Sequence, residues 1–234
     1  MLTSVPSGFY RVAAYILLAG RDRPVLRQRI GHLLWSESDP ARAGADLRQV
    51  LARIRRYQAE HGFLFITATA TTLSLSGDSN VFCDLAAFIE ELRNPEVESS
   101  VRLCELYRGD LLESQASAGS EFEEWLFFQR SRLRDEFIDN ISLAILPDSG
   151  LTAQERTFCA RRLTEVDPCN EGAYRALMWG AAESGQLSKV RHLFDVCSRR
   201  LRDELGVDPD EETVELFLTL THQSNSPGRT RADN

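Results

Sequence analysis

The stretch LLWSESDPARAGADLRQVLARIRRY, Leu33 to Tyr57, decides how this chain is read. Asp39 followed by Pro40 marks a helix start. A short carboxylate accepts hydrogen bonds from the free amides of a first turn, and proline suits the first helical position because its missing N–H would be unpaired there anyway. From near Ala41 to about Glu60, the apolar residues Leu47, Val50, Leu51 and Ile54 recur at helical spacing. Arg42, Asp46, Gln49, Arg53 and Arg56 take the opposite side. One face is core; the other is a cationic stripe.

Working outward, FYRVAAYILLA (9–19) predicts a short apolar helix, ended by the turn residues Gly20 to Pro24, and a second helix spans Val25 to Trp35. His61 and Gly62 stop the third helix. The run FLFITATATTLSLS (63–76) then changes to β-branched residues with period-two alternation, predicting two strands joined around Ala70 and Thr71, the only β signal in the chain. Residues 77–80 close it. From Asp84 onward the pattern is helical, with helices near 84–93, 97–108, 119–145, 152–165, 170–184, 187–204 and 210–222. Turn or cap signals at Asp167-Pro168, Ser184-Gly185 and Gly206 to Pro209 separate the last four, which resemble stacked antiparallel hairpins of roughly TPR length. Ser224 to Asn234 reads as a polar tail or linker.

The predicted fold class is therefore mainly α: a winged helix-turn-helix with a short β-hairpin wing, followed by a TPR-like antiparallel helical-hairpin domain. Three helices and then a hairpin is the order in which a winged helix places its third helix in the major groove. The same order also suits an ordinary helical subdomain with a solvated arginine face.

Charge is unevenly placed. The net charge is -8, but residues 1–62 hold ten arginines against five acids, giving +5 and leaving -13 for the remainder. A basic segment on an acidic body is what a protein needs when one part meets phosphate and the rest should not. Twenty-six of the 27 basic residues are arginine, so part of this surplus reflects overall composition. Cys83, Cys104, Cys159, Cys169 and Cys197 are odd in number, scattered and free of any Cys-x-x-Cys pair, which fits reduced core thiols. Four dispersed histidines indicate no metal site, and no cofactor is expected. The longest apolar stretch near the start, Val12 to Ala19, is too short to span a bilayer, and no signal peptide precedes it. The expected location is the cytoplasm, with no membrane partner.

Leu34-Trp35, Asp39 to Arg42, Leu47 to Gln49 and Arg53 to Arg56 together resemble the OmpR-like winged helix of SARP-type transcriptional regulators. Farther along, the run Tyr107 to Leu112, Glu124-Trp125, Asp167-Pro168 with Glu171, Tyr174 to Met178, Glu204 to Pro209 and Glu212-Thr213 resemble the bacterial transcriptional activator domain. The resemblance implies a winged-helix DNA-binding domain over 1–80, an activator-type helical domain over 81–223 and a tail over 224–234. It implies promoter binding to double-stranded DNA through the third helix, and a helical domain used for homodimerisation or for contacts with the transcription machinery. By position, Arg48, Gln49, Arg53 and Arg55 are the candidates for the groove-facing side, and Arg42 and Arg56 for phosphate contacts. Arginine can bond bidentately to guanine edges or phosphate, while glutamine presents a donor and an acceptor to adenine. Trp35 is read as core, with its ring N–H near the surface.

Two departures from the family stand out. OmpR-like modules begin with a small sheet before the first helix, and only eight residues precede Phe9 here, so that sheet is expected to be missing or to lie upstream. The expected wing tip, Thr67 to Thr72, has neither arginine nor glycine. These departures keep open an alternative, a TPR-like interaction adaptor that has lost DNA binding. The aromatic cluster Phe122, Trp125, Phe127 and Phe128 is read as helix packing. Glu121, Glu123 and Glu124 point different ways on a helix, and no nucleophile-and-base pair or phosphate loop is present, so no enzyme is expected.

Overall fold

In a computed structural model, residues 5–6, 8–20, 23–77, 80–93, 97–113 and 120–222 are described. The tail expected over 224–234, and parts of the turns expected at 20–24 and 77–80, lie outside the described residues. In chain order the elements are α1 (Phe9–Gly20), β1 (Val25–Leu26), α2 (Arg27–Leu34), α3 (Pro40–Glu60), β2 (Ile66–Ala68), β3 (Thr72–Leu75), α4 (Asp84–Arg93), α5 (Val97–Leu106), α6 (Ser120–Ala144), α7 (Ala153–Val166), α8 (Glu171–Glu183), α9 (Leu187–Arg200) and α10 (Glu211–His222). The described residues are mainly helical, with one small sheet among them. The chain divides into two compact units: Met1–Glu90 with Arg108–Leu133, and Glu91–Tyr107 with Arg134–Asn234.

In the first unit, α1, α2 and α3 pack with a three-stranded antiparallel sheet in the order β1-β3-β2. The second helix starts at Arg27, not at Val25 as the sequence pattern predicts. Val25 and Leu26 instead pair with Leu73 and Thr72, and the Arg27 amide donates to the Thr71 carbonyl at 2.8 Å. This strand is made by a partner distant in sequence, so no local periodicity announces it. Val12, Ile30, Leu47, Ile54, Leu73 and Phe122 are almost completely buried in this unit's core. Each such side chain contributes on the order of 1.5–3 kcal/mol by leaving water.

The hairpin is latched to α3 by Gln58, a polar side chain only 3% exposed. Its carbonyl oxygen accepts from Phe65 N at 3.1 Å and Ile66 N at 2.8 Å, and its amide donates to Ile66 O at 3.1 Å. Strand β2 is an edge strand, so these bonds satisfy backbone groups that would otherwise lack a neighbour. At the tip the Thr69 hydroxyl accepts from Thr71 N and Thr72 N, closing the turn without a glycine.

In the first half of α6, Phe122 and Leu126 enter the core and Trp125 lies 5.3 Å from Tyr15, as the packing interpretation anticipates. Phe127 and Phe128 do not: they are 64% and 59% exposed. Neighbouring positions on a helix point in different directions, so one aromatic run cannot all be buried by one core.

In the second unit, α7 to α10 follow one another through short connections. Helix α7 begins in a capping box, Thr152 with Glu155, and Asn170 caps α8 by accepting from Ala173 N at 3.0 Å. Met178, Ala181, Val190 and Leu220 form a core beside the stacked rings of Phe194 and Phe217, 4.1 Å apart. After α9 a π turn, Leu201–Leu205, ends at Gly206 with φ +72°, a left-handed conformation that disfavours any other residue. Arg175 ties α8 to the start of α10 through Asp210, Glu212 and Thr213. Arg162 on α7 donates to the Cys104 and Tyr107 carbonyls at the end of α5. All five cysteines are free, three of them buried. A hydrogen bond with Cys159, together with burial, pushes the Cys104 thiol up, so it stays protonated in the core.

Candidate nucleic-acid interface

Helix α3 carries every residue singled out for DNA. Asp39 sets its start, with Oδ1 accepting from Ala41 N at 3.0 Å and Arg42 N at 3.1 Å. Leu47, Leu51 and Ile54 seat the inner face and are buried. Arg42, Arg48, Gln49, Arg53, Arg55 and Arg56 are all exposed. Among the described residues, no acidic side chain forms an ion pair with any of these five arginines. The outer face thus presents guanidinium groups that are free of ion pairs, on a helix with a capped start.

The six do not lie on one line. At 3.6 residues per turn, Arg42, Gln49, Arg53 and Arg56 fall within an arc of about 60°, while Arg48 and Arg55 lie together on another edge about 120° away. Arg55 lines a cleft of about 340 Å³ with Leu51, Ile54, Gln58, Leu64 and Thr67, so this second edge is the side next to the hairpin. Arg48 leans back toward Gly44, with Nη1 3.6 Å from where a Cβ would stand on that glycine. Trp35 is partly buried and packs against the core of the first unit.

One cation at the hairpin tip escapes the sequence pattern. Arg27 Nη1 donates to Thr69 O at 2.9 Å, bringing a guanidinium to a hairpin tip that has none of its own. Gln58, the latch, is missed as well, because a glutamine on a mostly polar helix gives no sign of burial. Among the described residues no group of three His, Cys, Asp or Glu side chains is placed to hold a metal ion. No helix among them is long and apolar enough to cross a membrane.

The chain is similar to the transcriptional regulatory protein EmbR of Mycobacterium bovis and to that of Mycobacterium tuberculosis, at 24% identity over 226 residues in each case. The match takes in 88% of this chain but only 56% of each relative, so the chain spans about half the length of the curated proteins it matches. The fold is similar to that of Mycobacterium tuberculosis EmbR, solved in complex with a low affinity phosphopeptide: the TM-score is 0.59 at 19% identity, over 95% of this chain and 61% of that one. The model of the bacterial transcriptional activator domain, a family of transcriptional regulators and not of enzymes, matches residues 78–220. That is more than half of the 234 residues, and the chain belongs to the bacterial transcriptional activator domain family.

Proposed function

We propose that this chain is a SARP-type, DNA-binding transcriptional activator of the cytoplasm, with residues 1–80 as a winged-helix reader and residues 81–223 as a TPR-like effector domain that dimerises or meets the transcription machinery. One observation carries the reading: α3 is anchored by an apolar face while Arg42, Gln49, Arg53 and Arg56 share its opposite face and Arg48 and Arg55 a second edge, all exposed, and none of the arginines is ion-paired among the described residues. On that face arginines outnumber acids three to one, Asp46 being the one carboxylate among Arg42, Arg53 and Arg56. The family and the regulators it resembles support the same reading.

Within that reading, Gln49 and Arg53 read base edges, since they share an arc with Arg42 and Arg56, which grip phosphates on either side. Arg48 and Arg55 serve the hairpin side of the groove. The test is retardation of genomic fragments at low salt by the folded protein, followed by Arg53→Ala. Loss of a bidentate base contact costs on the order of 1–3 kcal/mol on the preferred site and little on random DNA. Equal losses on both reassign Arg53 to the backbone. If no fragment is retarded, the chain is an interaction adaptor, a reading favoured by the exposed Phe158 and Trp179 of the second unit.

A further inference from the structure

The hairpin turn, Thr69 to Thr72, carries no charge of its own, yet one residue from outside the hairpin is bonded to it twice. Arg27 donates its backbone N–H to Thr71 O at 2.8 Å and its Nη1 to Thr69 O at 2.9 Å. The first residue of α2 and the hairpin tip are therefore held together. Arg27 is only partly buried, and among the described residues it has no acidic partner. A guanidinium has five donors in a flat fork. A single bond to Thr69 leaves most of that fork unused. The Thr69 and Thr72 hydroxyls bond to each other at 2.8 Å and so are engaged within the turn.

We propose that Arg27 is a phosphate-binding residue at the hairpin tip, supplying from the start of α2 the cation that the turn lacks. This rests on the DNA-binding reading above. Backbone phosphate is the favoured ligand over a groove floor, because the arm tied to Thr69 shortens the reach of the side chain and leaves a fork that matches phosphate oxygens. A residue that only stapled the turn would need the donor but not the charge.

That difference sets the experiment. The full chain and its Arg27→Ala, Arg27→Gln and Arg27→Lys variants are titrated with a mixed-sequence DNA duplex over a range of salt concentrations, with folding checked by circular dichroism. Each phosphate contact contributes about 0.9 to the slope of log affinity against log salt. Arg27→Ala and Arg27→Gln are expected to lower the slope by about that amount, while Arg27→Lys keeps it. If removing the side chain loosens the hairpin, the comparison of Gln with Lys still decides, since both have lost the fork and only Lys keeps the charge. Identical slopes for Gln, Lys and wild type overturn the proposal and leave Arg27 as a staple, with DNA binding intact. A wild-type protein that binds no duplex overturns the DNA-binding reading itself.

Discussion

Gln58 shows how much one polar side chain can hold. It is buried on α3 and satisfies two amides and one carbonyl of the β2 edge. Replacing it with leucine keeps the volume but leaves three backbone groups facing an apolar side chain. Each unsatisfied buried group costs on the order of 1–3 kcal/mol, and relaxation recovers part of that, so Gln58→Leu should destabilise the fold by about 3 kcal/mol. Urea unfolding measures this directly. A loss below about 1 kcal/mol would mean that water or a shifted backbone replaces the latch. The sequence hides this role because burial of Gln58 depends on β2 arriving against it. Arg27 is obscured for the same reason, its partner Thr69 being set by β1 pairing with β3.

The helices are the readable elements, because their spacing and end signals are local in sequence. Asp39-Pro40 marks the start of α3, and helical patterning with the breaks at Asp167-Pro168 and Ser184-Gly185 locates α7 and α8, each to within a residue or so; the structure adds the caps Thr152 with Glu155 and Asn170, which satisfy first-turn amides with neighbours in sequence. Strand β1 is two residues long and exists only through a distant partner, so the local pattern at Val25 and Leu26 is that of a helix start. The capping box yields a prediction of its own. Thr152→Ala should cost about 1 kcal/mol through loss of the cap. The bonds from the Thr152 hydroxyl and backbone amide hold the Glu155 carboxyl below its ordinary value. A depressed acid stabilises the fold above its unfolded pKa, and that contribution is lost as pH falls through the lower folded value. The stability gap between wild type and Glu155→Gln should therefore be full at neutral pH and close as the medium is acidified below the ordinary carboxylate range. A gap that stays constant with pH would show that the charge of Glu155 adds nothing to the box.

For the molecule as a whole, net charge and local charge make opposite predictions about DNA. A chain at -8 with a sequence pI near 5.1 should be repelled by a polyanion if only its total mattered. Screening decides against the total: at physiological ionic strength the Debye length is about 8 Å, so acidic residues farther than that from the contact contribute little. On the proposed reading, the exposed arginines of α3 and the charges within that distance of them are what a duplex meets. Arg42→Ala and Arg56→Ala should each lower the log–log salt slope by about 0.9, the contribution of one released counterion contact. Lys189→Ala, the loss of a cation in the second unit, removes the same unit of charge from the total and should leave the slope unchanged. If Lys189→Ala lowers the slope as much as the two α3 substitutions do, binding follows overall charge, and α3 has no privileged place in it.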